Sequence, residues 1–142
     1  MKGRLVKAVF WALVAVFIGV VSLFIIPIAR ELIMGGVFLI VSGVLLLLLG
    51  GALIYLAVRE QAGATINKFL ILTGVCAAGI PLSAVLHNAV YGVFIHFFGD
   101  GFWEITGLGD EPVFFVLAIV VGPLGFLVGA VGSIVHLVKS PD

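Results

Sequence analysis

Charge is what this chain has least of. Seven Lys and Arg with seven Asp and Glu make up only 10% of its 142 residues, while 63% are hydrophobic. A soluble domain is roughly a quarter charged. This chain therefore has too little charge to clothe a water-facing surface, and its apolar side chains must meet lipid. The net charge is zero and no Lys/Arg run occurs. That excludes nucleic acid as a partner, because phosphate binding needs a basic surface. A single cysteine, Cys76, set in an apolar run, excludes a disulfide framework, a CxxC redox pair and a cysteine-based zinc site. It reads as a small packing residue. Polar and apolar residues do not alternate, so membrane-spanning helices are expected rather than barrel strands. No internal repeat is visible, which argues against an inverted-repeat transporter.

What is present is long apolar runs. A bilayer core about 30 Å thick needs roughly 20 apolar residues as helix. Four segments qualify, at about 8–28, 37–58, 69–90 and 112–138. The first follows a basic start, but its run is too long for a signal-peptide core and no A-x-A-like site follows it. It reads as an uncleaved span. In a four-span arrangement Lys2, Arg4, Lys7, Arg59, Lys68 and Lys139 fall on one side, and only Arg30 on the other. The positive-inside rule then places both termini in the cytoplasm, most naturally at the plasma (inner) membrane. Glu31, Asp100, Glu104, Asp110 and Glu111 fall outside, so the outer face is acidic. Trp11 and Tyr55 near the inner boundary, and Phe97, Phe98, Phe102 and Trp103 at the outer one, match aromatic belts. His136 falls at the inner headgroups.

Helices in lipid associate through small residues. Gly125, Gly129 and Ser133 form a small-xxx-small series in span 4 and read as a helix-packing face. Ala8, Ala12, Ala15, Gly19 and Ser22 recur along span 1 at steps of four and three, which predicts a contact face there too. With short loops, the expected fold is one all-α integral membrane domain, a four-helix up-down bundle with both ends inside. One small-residue stripe facing a second copy would make a homo-oligomer.

Polar residues concentrate in "LHNAVYGVFIHFFGD", residues 86–100. Counting about 20 residues outward from Lys68 brings the membrane boundary to His87–Asn88. The apolar run nevertheless continues to Phe98, so span 3 projects, tilts, or breaks near Gly92 into an outer interfacial loop of about 91–111. At 100° per residue His87, Asn88 and Tyr91 share a face with Ala84, and His96 points the other way. Those three form the candidate polar site, as a proton, ion or headgroup site or as interhelical hydrogen bonding. Pro81 and Gly122-Pro123 lie near mid-membrane and commonly kink helices. Bent apart, spans 3 and 4 would open an outward funnel walled by the three residues. Asp110 or Glu111 can cap span 4, with Pro112 in its first turn. The sharper alternative is a divalent-cation site from His96, Asp100, Glu104, Asp110 and Glu111, ligands that suit zinc or manganese although their spacing matches no known ligand motif.

No catalytic residues are assigned, and no cofactor beyond that cation. The function expected is a packing or partner-interacting membrane subunit. Its partners would be membrane lipids and either further copies or a larger membrane complex. The alternatives are an oligomeric channel or transporter for a proton, cation or small molecule through spans 3 and 4, and a membrane enzyme acting on a lipid-soluble substrate at the outer face.

Overall fold

A computed structural model describes residues 3–26, 36–60 and 63–139 of the chain. Every regular element among them is helical: α1 Arg4–Ile25, α2 Val37–Glu60, α3 Ala64–Phe98, a single turn α4 Phe102–Ile105, and α5 Pro112–Val138. Four of these, with 22, 24, 35 and 27 residues, are long and apolar enough to cross a membrane. Only 17–28% of their most apolar windows is buried within the bundle, so most of each helix surface faces outward, where lipid would meet it. Lys2, Arg30, Glu31 and Asp142 lie outside the described residues, as does the end of the first expected span.

α2 and α5 fall close to the runs read from hydropathy. α3 does not stop at residue 90. It continues unbroken past Gly92 to Phe98, through residues expected to be loop. The cause is local: Phe69–Phe98 contains no charged residue, and the first residue unsuited to continuing a helix at that end is Gly99. Gly99 takes φ +91 while its N–H still closes on the Ile95 carbonyl at 2.8 Å. That left-handed backbone, easy only for glycine, turns the chain away.

The prolines do not pry the helices apart. Pro81 stays inside α3, facing Gly43 of α2. In α5 the turn before Pro123 widens into a π turn, Leu117–Val121, with the Gly122 N–H reaching back to the Leu117 carbonyl. Proline has no N–H and crowds the preceding turn, and a π turn is one way a helix accommodates such a break in its ladder. Just below it Gly122 lies against Ile80, and above it the Phe115 ring sits 5.7 Å from that of His87. The expected funnel is therefore closed.

Glycines set how closely the helices approach. A Cβ on Gly50 would stand 2.7 Å from the Gly74 carbonyl oxygen, and one on Gly74 would stand 2.7 Å from that of Gly50. The α2 and α3 backbones therefore touch. On the other side of α3, Gly122, Gly125, Gly129 and Gly132 meet Ile80, Cys76, Thr73 and Phe69 in turn. Contacts descend α3 as they climb α5, and likewise along α2. Ser133 is fully buried, and its hydroxyl has no hydrogen-bond partner among the described residues.

α1 packs differently from expectation. Its buried residues are Val6, Phe10, Leu13, Val14 and Phe17, and Phe17 stacks on Phe126 of α5 at 3.9 Å between ring centres. Ala8, Ala12, Ala15 and Gly19 are exposed, and Ser22 is half-buried. Where every face of a helix is apolar, hydropathy does not choose the buried one. Large side chains fill the groove against α2 and α5, leaving the small ones outside.

Candidate functional site

One end of the bundle collects basic residues. The Gly3 N–H donates to the Glu60 carboxylate at 2.6 Å, joining the start of α1 to the end of α2. Arg4, Lys7, Arg59 and Lys68 all belong to this end, and the His136 ring lies against Phe69 beside them. The Arg59 guanidinium donates to the Tyr55 hydroxyl and sits 5.9 Å from its ring centre. Two surface depressions of about 310 and 350 Å³ also lie here, lined by Leu5, Leu56, Arg59 and Glu60 and by Val58, Gly63, Ala64 and Asn67.

The polar cluster occupies the opposite, acidic end. The Glu111 side chain is the N-cap of α5, accepting from the Val113 N–H at 2.8 Å and the Phe114 N–H at 3.0 Å. Pro112 takes the first helical position, where its missing N–H does no harm. A carboxylate there also meets the positive end of the helix dipole, which explains how Glu111 tolerates being only 4% exposed. The Asp110 carboxylate accepts from the Glu111 N–H at 2.7 Å.

His87 points into this cap. Its Nδ1 lies 3.1 Å from the Glu111 carbonyl and 3.3 Å from the Glu111 carboxylate. Both neighbours are acceptors, so Nδ1 must carry the hydrogen. Nε2 is 3.6 Å from the Asp110 carboxylate, an ion pair when the ring is protonated. The imidazole thus ties α3 to the start of α5 and lies between two carboxylates.

Tyr91, one turn further along, lies against His87 and stacks almost parallel on Trp103 at 5.8 Å. The Trp103 indole N–H donates to the Tyr91 carbonyl at 3.3 Å. Phe94, Phe98 and Phe102 complete a ring cluster around that contact. Asn88 does not join His87. It is exposed, and its amide donates to the Ala84 carbonyl of its own helix at 2.8 Å.

The five residues read as cation ligands divide into two groups. Asp110 and Glu111 face His87, while His96 is exposed on the far side of α3 against Phe97, and Asp100 and Glu104 are exposed at the tip. The two histidines are nine positions apart, which turns them to opposite faces. Among the described residues no group of three or more His, Cys, Asp and Glu side chains is placed to hold a metal ion. Sequence reasoning placed Trp103 and Phe115 in a belt and a span, not at the site. Their only signal is position, Trp103 in the segment returning to α5 and Phe115 one turn into α5 from the cap. Comparison with protein-family models, curated proteins and solved structures gives no match.

Proposed function

We propose that this chain is a small polytopic membrane subunit that works by packing its α1 face against another transmembrane helix, a second copy of itself first. One observation carries the reading. Ala8, Ala12, Ala15 and Gly19 lie exposed along α1, and a Cβ on Gly19 would meet nothing within 4 Å. Small residues at that spacing let a partner backbone come close, the main source of helix association in lipid. Among the described residues none of the four is buried in the bundle.

The rest of the reading is consistent with this. Opposite-running contacts between α2 and α3 and between α3 and α5, with short connections, favour an up-down bundle. Basic residues at one end favour both termini in the cytoplasm and residence in the plasma membrane. Glycine-mediated packing of α3 on α5 weighs against a conduction path between them. The engagement of His87 by Glu111 favours a structural role for it over a catalytic or transport one.

The test is subunit counting by single-molecule photobleaching in liposomes. The native chain should show more than one copy per assembly. Ala12→Ile with Gly19→Ile should give single copies while helicity is retained. Single copies for both chains would refute self-association through α1.

A further inference from the structure

α3 outreaches its neighbours. The Gly43–Pro81 and Gly50–Gly74 pairings hold one register; extended upward, it brings Val37, the first residue of α2, level with His87. α5 begins at the same level, because its cap residue Glu111 touches His87. α1 starts beside Glu60 and is two residues shorter than α2. Among the described residues Asn88–Phe98 therefore extends beyond the ends of the other three long helices, by about 16 Å at a 1.5 Å rise per residue. The uncharged stretch Phe69–Phe98 measures about 45 Å as helix. That length matches a bilayer with its headgroup layers, about 40–45 Å, and not the hydrocarbon core of about 30 Å.

The side chains show which surface this extension continues. Val75, Leu82, Leu86, Ala89, Val93 and Phe97 are all exposed. At 100° per residue they stay within about 40° of one line along α3. The lower part of that line is the outward face of a membrane-spanning helix, and it runs into the tip without interruption: Val75 is 51% exposed, Val93 52% and Phe97 73%. The face that α5 covers below, at Cys76 and Ile80, is covered above by α4 instead, through Trp103 and Phe102 against Tyr91 and Phe94. α4 thus takes over the bundle side and leaves the lipid side open. Polar groups on the tip suit the same level. Asn88 has its amide bonded within the helix, as groups near hydrocarbon require, and His96 and Asp100 are exposed where headgroups would be.

We propose that the tip of α3 with α4 is seated in the membrane interface at the acidic end, with Val93, Phe97 and Ile105 against lipid at the headgroup–acyl boundary. Ile105 is 88% exposed, and the neighbouring Asp100 and Glu104 suit zwitterionic headgroups, since anionic ones would be repelled.

Site-directed spin labelling in phosphatidylcholine vesicles tests this. With Cys76→Ala as background, labels are placed singly by Val93→Cys, Phe97→Cys and Ile105→Cys, with Leu82→Cys as the reference inside the span. All four sites are exposed, so a label displaces no packed group, and helicity checks each variant. The expected result is that oxygen relaxes the three tip labels more than a water-soluble nickel chelate does. The reverse order would mean that the tip projects into water and would overturn the proposal. Low relaxation by both agents would mean that protein covers the face, and would overturn it equally. The measurement is indifferent to self-association through α1, so the two readings fail separately.

Discussion

Replacing Gly129 by alanine adds one methyl group at the tightest backbone approach of α5 to α3. The new Cβ would lie 2.6 Å from the Thr73 hydroxyl, 2.7 Å from the Thr73 nitrogen and 3.1 Å from the Phe69 carbonyl oxygen. Two of those three atoms are backbone, and the hydroxyl is already committed to the Phe69 carbonyl at 2.8 Å. No rotamer change relieves the contact, so the helices must separate. Ordinary contact begins near 3.4 Å, which asks for a shift of 0.7 Å from the present 2.7 Å. A gap of that size forfeits roughly a quarter to a half of each dispersion contact along the seam, and overpacking of this kind costs about 1–3 kcal/mol. Alanine also favours helix over glycine by about 0.8–1.0 kcal/mol, which would mask part of the effect. Gly51→Ala supplies the correction. Gly51 is exposed on α2 and its Cβ would meet nothing within 4 Å, so that variant carries the propensity gain alone. Reversible unfolding in mixed micelles, followed by circular dichroism against the mole fraction of dodecyl sulfate, should place Gly129→Ala below Gly51→Ala by about 1–3 kcal/mol. Equal stabilities would refute the backbone contact.

Two further outcomes follow from the acidic end. His87→Ala removes the donor to Glu111 and should cost about 0.5–1.5 kcal/mol, while Glu111→Ala removes the cap of α5 and should cost about 0.5–2 kcal/mol. Combined in one chain they should show a coupling of about 0.5 kcal/mol or more; additive losses would mean that Nδ1 is held by the Glu111 backbone carbonyl, which alanine retains, and not by the carboxylate. For orientation, a membrane-impermeant maleimide applied to intact cells should label Asp100→Cys and spare Ala64→Cys in a Cys76→Ala background, and the opposite pattern would reverse the bundle.

Much of the fold is legible in the sequence because the membrane reads length and charge. α2 and α5 match their apolar runs, and the Asp-Glu-Pro start of α5 carries its cap in its letters. Gly125 and Gly129 are found on the α3 side because close backbone approach admits almost nothing larger. Three features escape this kind of reading. The buried face of α1 does, since a stripe of small residues and a stripe of large apolar ones on opposite faces both suit helix packing in lipid, and the choice depends on the shape of the groove. The extension of α3 does, because uncharged helix looks the same within and beyond the hydrocarbon. The parting of Asn88 from His87 does as well: both lie on neighbouring arcs of α3, but only His87 faces α5. Asn88 satisfies its amide on its own helix, a solution that helical spacing cannot distinguish from a shared site.

The Gly50–Gly74 seam also limits the genetics of this protein. Where Gly125 meets the Cys76 sulfur, a larger residue on α5 could be suppressed by a smaller one on α3, because the obstructing atom belongs to a side chain. At Gly50 the obstructing atom is a carbonyl oxygen, and its owner is already glycine. No allele at position 74 can make room. Revertants of Gly50→Ala must therefore arise at the same codon, or at distant positions that let α2 and α3 stand apart along their whole length.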